Sequence, residues 1–248
     1  MPDGLLLLHA FPLDASMWQP QIEALRSDVT VVAPNFPGFG GTPAAGSVME
    51  MDATADAAAK AVSDAGLDRV VVCGLSMGGY VALSFWRRHR DRVAGLVLAN
   101  TRSGADDDAG KQRRADLATR LRAEGNGFLA DSPPPLFSAN VSPGLLDYAK
   151  AAIRQQPAEA IAAASLGMAS RADSTGDLAG ITVPTLVITS TGDTLIPAAA
   201  SSPMAEQIPG AQLHVIEGAG HLSNLEAPAE FSRVLREHLV RCGVIGGR

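Results

Sequence analysis

Three residues of this 248-residue chain could together perform nucleophilic chemistry: Ser76, Asp193 and His221. Ser76 lies in Gly74-Leu75-Ser76-Met77-Gly78, a G-x-S-x-G pattern. It closes the apolar run Val70-Val71-Val72-Cys73 and opens a helical pattern carrying Val81, Leu83, Phe85 and Trp86. A serine on such a strand-to-helix turn is held at strained backbone angles with its hydroxyl aimed outward, and a Cβ on either flanking glycine would collide with the turn. Because a serine hydroxyl is a poor nucleophile at neutral pH, a base must take its proton and later return it to the leaving group. His221, at the end of Glu217-Gly218-Ala219-Gly220-His221, is the candidate base. Asp193, after Thr191-Gly192, would orient the imidazole and stabilise its cation. The chemistry so assembled is acyl transfer through an acyl-Ser76 intermediate.

These residues are far apart in sequence, so the elements that carry them must bring them together. Each follows an apolar or β-branched run: Ser76 after 70–75, Asp193 after Thr185-Leu186-Val187-Ile188-Thr189, His221 after Leu213-His214-Val215-Ile216. Further strands are expected at Leu5-Leu6-Leu7-Leu8, at 29–33 and at 93–100, with helices over 14–25, 51–65 and 228–240 between or after them. Strands alternating with helices at this rhythm predict an α/β fold, a doubly wound, mostly parallel sheet of about six strands. Residues at the strands' C-terminal ends then share one edge, where ligands bind such sheets.

From Arg102 to Asp177 the strand pattern stops. Helical patterns take over at 109–124, 143–155 and 157–170, interrupted by Ser132-Pro133-Pro134-Pro135. The expected organisation is a core of residues 1–101 and 178–248 with a helical cap, 102–177, inserted before the strand that leads to Asp193. Leu136, Phe137, Leu166 and Met168 are the candidate pocket residues of this lid. Arg102, Arg154 and Arg171 are its candidate cations for a substrate carboxylate, and Asn100 is expected to tolerate replacement by Ala with modest loss.

The composition fits a folded enzyme, at 46% hydrophobic and 19% charged residues. The net charge of −6 is spread along the chain apart from Asp106-Asp107-Asp108, which points away from a nucleic-acid partner. The opening Met1-Pro2-Asp3-Gly4 has no basic region, and the four leucines after it are too short for a signal or a membrane span, so a cytoplasmic protein with no membrane partner is expected. Cys73 and Cys242 have no metal-ligand spacing and read as packing residues, with no metal site implied.

The chain resembles the α/β-hydrolase superfamily over nearly its whole length. The resemblance is carried by His9-Ala10-Phe11-Pro12, Gly38-Phe39-Gly40, the motif around Ser76, Gly192-Asp193 with Pro197, and Gly218-Ala219-Gly220-His221, and by the chain order Ser, Asp, His. HAFPLDASMW at 9–18, GMASRADS at 167–174 and AGHLSNLEAP at 219–228 are similar to the carboxylesterase and 3-oxoadipate enol-lactonase group. The resemblance implies an oxyanion hole made by the N–H groups of Phe11 and Met77, with His9 fixing the loop between strand and hole. Asn35 and Thr42 stand where the family often has Asp and Ser, a change expected to be structural, and the family's first two strands have no counterpart, for which a smaller sheet or an incomplete start would account. The expected function is hydrolysis of a small carboxylic ester or lactone without a cofactor, by a monomer or small homo-oligomer. A perhydrolase or acyltransferase would use the same triad, and a non-catalytic ligand-binding receptor could share the fold.

Overall fold

Four strands are buried along nearly their whole length because both of their faces are covered. They are β1 (Asp3–Leu8), β3 (Arg69–Leu75), β4 (Val93–Ala99) and β5 (Thr185–Ser190). A computed structural model describes residues 3–44 and 46–246. In it, β2 (Val31–Val32) and β6 (Gln212–Ile216) flank those four, giving a six-stranded, wholly parallel sheet in the order β2-β1-β3-β4-β5-β6. The order reverses at β1. The chain steps one way to β2, then returns past β1 and adds every later strand on the other side.

Right-handed crossovers therefore put the β1–β2 connection on one face and the later connections on the other. The first carries α1 (Gln19–Leu25), against which the final helix, α10 (Pro228–Arg241), packs after the short α9 (Ser223–Glu226). On the opposite face α2 (Met51–Asp64) lies against α3 (Met77–Arg88), and α8 (Ala198–Gln207) packs on β5. Between β4 and β5 the chain makes α4 (Asp108–Glu124), α5 (Gly127–Asp131), α6 (Pro143–Gln155) and α7 (Ala158–Ser170), with α4 lying along α7.

Two sequence expectations change. The helix expected over 14–25 is a one-turn 3₁₀ segment, Ala15–Trp18, followed by α1: Asp14 caps the first turn through the Ser16 N–H, and Pro20 then sits in the first turn of the second helix, where a missing N–H does no harm. The strand expected over 29–33 pairs only at Val31 and Val32, both half-buried, since it forms the sheet's edge. Cys73 and Cys242 are both free thiols, the first buried in β3 and the second packed beside His238. Among the described residues no helix is long and apolar enough to cross a membrane.

Candidate active site

Register builds the site. Leu8 pairs with Gly74, Leu75 with Ala99, Ala99 with Ile188, and Ser190 with Ile216, so the C-terminal ends of β1, β3, β4, β5 and β6 lie along one edge. Ser76 leaves β3 beside the point where strand order reverses, and Phe11 leaves β1 on the other side of it. Such a switch point opens a crevice in a parallel sheet.

Ser76 has φ +57° and ψ −116°, a conformation that non-glycine residues rarely adopt. It is held there by Ser76 N–H to Ala99 O at 2.9 Å and by the Thr101 hydroxyl, which donates to Ser76 O at 2.8 Å. The glycines are required by close approach: a Cβ on Gly74 would lie 2.1 Å from Gly78 O, and one on Gly78 would lie 2.1 Å from Leu8 O. Met77 begins α3 directly after Ser76, so its N–H has no acceptor within the helix. Across the switch point, Phe11 follows a loop fixed by His9. The His9 ring accepts the Phe36 N–H at Nε2 (3.0 Å) and donates from Nδ1 to the Ala10 carbonyl (3.2 Å). Asn35 and Thr42 are structural too: Asn35 accepts from Ala15 N–H and donates to Gly40 O, while the Thr42 hydroxyl donates to Phe36 O and Phe39 O.

His221 and Asp193 meet at the far side, with His221 Nδ1 2.8 Å from Asp193 Oδ2 and both side chains buried. That bond leaves Nε2 as the ring's free acceptor. Burial pushes the Asp193 carboxyl up, but the His221 hydrogen bond and charge, the Ile196 N–H and the Asn100 amide outweigh it and hold the group below the usual carboxylate range. Its other oxygen accepts the N–H groups of Leu195 and Ile196, each at 2.9 Å.

Asn100 corrects an expectation. It is fully buried in the left-handed region (φ +44°), and its Nδ2 donates to Asp193 Oδ2 at 2.9 Å and to Ser190 Oγ at 2.7 Å. Ser223 Oγ donates to Asn100 Oδ1 at 2.6 Å, and Ser190 Oγ donates to Gly220 O at 2.6 Å. The residue thus ties Asp193 to the loop that carries His221, and replacing it by Ala would remove three buried hydrogen bonds. The sequence signal was available in one form only, a polar residue directly after an apolar strand in register with the nucleophile strand.

Ser76, His221 and Phe11 open on a cavity of about 360 Å³. The inserted helices form its opposite wall, with Leu117, Leu129, Leu136 and Met168 facing in. Leu136 and Met168 are therefore placed as expected, whereas Phe137 and Leu166 do not line the cavity. The Phe137 backbone lies against Gly220, where a Cβ would come 2.3 Å from the Phe137 carbonyl carbon, and Leu166 faces the core. Of the candidate cations, Arg102 reaches the cavity. Arg154 instead pairs with Asp131 on the surface, and Arg171 is buried under Tyr80, its guanidinium 4.1 Å from the ring centroid. A larger depression, about 690 Å³ beside α10, is lined by Asp28, Arg236 and Glu237 and holds none of the three site residues.

A parallel sheet with a strained serine at its switch point and a buried His–Asp pair beside it defines a hydrolase-type α/β architecture. The chain belongs to the alpha/beta hydrolase family, whose sequence model matches residues 5–234. It is 31% identical to the pimeloyl-[acyl-carrier protein] methyl ester esterase of Aromatoleum aromaticum, over 97% of this chain and 98% of that protein. Against the 3-oxoadipate enol-lactonase 1 of Acinetobacter baylyi the identity is 28%, over 93% of this chain and 86% of that one. Among solved structures it superposes on a malate-bound thermophilic esterase from Thermogutta terrifontis with a TM-score of 0.93 and 39% identity, covering 98% of this chain and 92% of that one.

Proposed function

We propose that this chain is a serine hydrolase of small carboxylic esters or lactones. Ser76 attacks the carbonyl, His221 Nε2 takes the hydroxyl proton and passes it to the departing alkoxide, and a water deprotonated by the same nitrogen releases the acid. Asp193 keeps the imidazole in the required tautomer, and the N–H groups of Phe11 and Met77 receive the oxyanion. Residues 102–177 act as the cap. No step needs a cofactor or metal. The observation that carries this reading is the buried His221–Asp193 hydrogen bond opening on the same cavity as Ser76, whose backbone φ of +57° matches a presented nucleophile. The names of the relatives support ester or lactone chemistry.

A fluorophosphonate should label the chain once per molecule, at Ser76, and Ser76→Ala should abolish labelling and lower kcat on any cleaved ester by about 10⁶-fold. A panel of p-nitrophenyl esters, lactones and enol-lactones then ranks substrates. The cavity size favours acyl chains of about two to six carbons. Absence of labelling, or turnover retained in Ser76→Ala, would make the chain a receptor or move the nucleophile.

A further inference from the structure

The chain is acidic overall, with 26 Asp and Glu against 20 Lys and Arg, yet the charged side chains lining the cavity beside Ser76 are Arg102, Arg113 and Arg114, with no Asp or Glu among the lining residues. One carboxylate stands behind them. Asp106, with 2% of its side chain exposed, accepts hydrogen bonds from Arg102, Arg114 and Arg171. Burial would push its carboxyl up, but the bonds and charges of Arg171 and Arg114 hold it far below its usual range, so it remains an anion. The next carboxylate, Asp173, accepts the N–H groups of Ala105 and Thr175 and lies in the field of Arg171. Three guanidinium groups therefore share Asp106, and Arg113 joins Arg102 and Arg114 in the cavity lining.

Arg171 has a structural task under Tyr80, but the others are not used up by the fold. Arg113 makes no ion pair among the described residues and lies exposed at the rim. Arg102 meets Asp106 and the Tyr80 hydroxyl yet keeps a buried Nε–H with no acceptor, and these partners cannot satisfy the five donors of its guanidinium. Asp106 joins Arg102, Arg114 and Arg171 but sets one negative charge against their three positive ones, so the wall keeps an excess of positive charge, and a planar carboxylate is the ligand that the guanidinium fork fits.

We propose that Arg102, Arg113 and Arg114 form an anion subsite in the cavity, and that the substrate is an ester or lactone whose acyl chain ends in a free carboxylate. The inference rests on the hydrolase reading above and deepens it. The cavity of about 360 Å³ holds Ser76 and the arginines together, so roughly three to five carbons separate the reacting carbonyl from the carboxylate. A hemiester of a short dicarboxylic acid has that form.

The test compares kcat/KM on monomethyl glutarate, dimethyl glutarate and the butanoyl ester of glycolate, which carries its anion on the leaving group. The wild-type protein should prefer the monomethyl over the dimethyl ester by about tenfold or more, and the preference should shrink in 0.5 M salt, where the Debye length is about 4 Å. Arg113→Gln and Arg102→Gln should each cut that preference about tenfold, the scale of one charge-assisted contact, while the surface change Arg233→Gln leaves it intact. A preference near one, or a preference that neither cavity variant alters, overturns the subsite. A preference confined to the glycolate ester overturns its placement at the acyl end. If no ester is cleaved, the hydrolase reading falls and calorimetry with glutarate tests the subsite alone: binding weakened by Arg113→Gln upholds it, and no binding ends it.

Discussion

Acid should unfold this protein through His9, and the size of the effect can be worked from its surroundings. The His9 ring is fully buried, with its centroid 4.0 Å from that of Phe36 and 5.4 Å from that of Phe39. Burial pulls its pKa from 6.5 down to about 4, against smaller upward pulls from the Ala10 carbonyl and the Asp14 charge. Between those two values the unfolded chain binds a proton that the native chain does not, so stability falls as pH drops through the window and is unaffected above it. At 1.36 kcal/mol per unit, the loss by pH 4 is about 3 kcal/mol. His238 on α10, buried beside Gly95 and Pro184 and drawn down to about 4 by that burial and the Arg241 charge, acts in the same direction and doubles the slope near pH 5. His9→Asn keeps a side-chain acceptor near the Phe36 N–H but cannot titrate. Urea midpoints followed by circular dichroism at pH 7.5, 6.0 and 5.0 should show the variant losing about one proton's worth of slope, ~1.4 kcal/mol per pH unit. A variant whose stability fell with pH as steeply as the wild type would refute the assignment of that proton to His9.

Asn100→Ala removes a hydrogen bond to the charged Asp193 and should lower kcat about 10- to 100-fold with KM little changed; wild-type kcat would show that the acid needs no such anchor. Gly78→Ala forces a methyl into Leu8 O and should lower thermal stability by at least about 1–3 kcal/mol together with activity, because the displaced strand end carries Phe11; an unshifted melting temperature would contradict the contact. Glu226→Ala frees Ser138 and Gly220 together and should leave global stability within about 2 kcal/mol while raising the hydrogen-exchange rate of both segments; protection lost in one segment alone would argue against a shared clamp.

The parts of the fold that the sequence made legible are those where burial dictates composition. The runs at 5–8, 70–75, 93–99 and 185–189 are strands because both faces are covered, and the inserted helices 109–124, 143–155 and 157–170 match α4, α6 and α7 within a residue. Their periodicity survives in sequence. What failed was local detail overridden by neighbours: an edge strand shorter than its β-branched run, α8 hidden by an internal Pro203, and the four-residue α9, too short to show a period. At the candidate site, the meeting of Ser76, Asp193 and His221 at one sheet edge was legible from motif and strand position. Asn100, Ser190 and Ser223 were not, since their bonds span 90 and 123 residues. Phe137 and Leu166 show the same limit, for apolarity tells that a side chain is covered without telling what covers it. No motif or spacing marks Arg113 and Arg114, and only the fold places them with Ser76 in the cavity lining.

The clamp at Glu226 bears on how interchangeable the pieces of this molecule are. Its carboxylate takes the Ser138 N–H and hydroxyl on one side and the Gly220 N–H on the other, and Leu222 N–H reaches Leu136 O at 2.8 Å. Residues 136–138 come from the insertion by sequence, yet they are stitched to the turn that delivers His221. A chimera that exchanged 102–177 as a block for the corresponding stretch of a relative would cut those stitches and leave His221 on a loosened turn. One that kept 136–138 with the recipient sheet would change the cavity walls and leave the Asp193–His221 pair standing. The boundary between what can be traded and what must be inherited thus runs through the middle of the insertion.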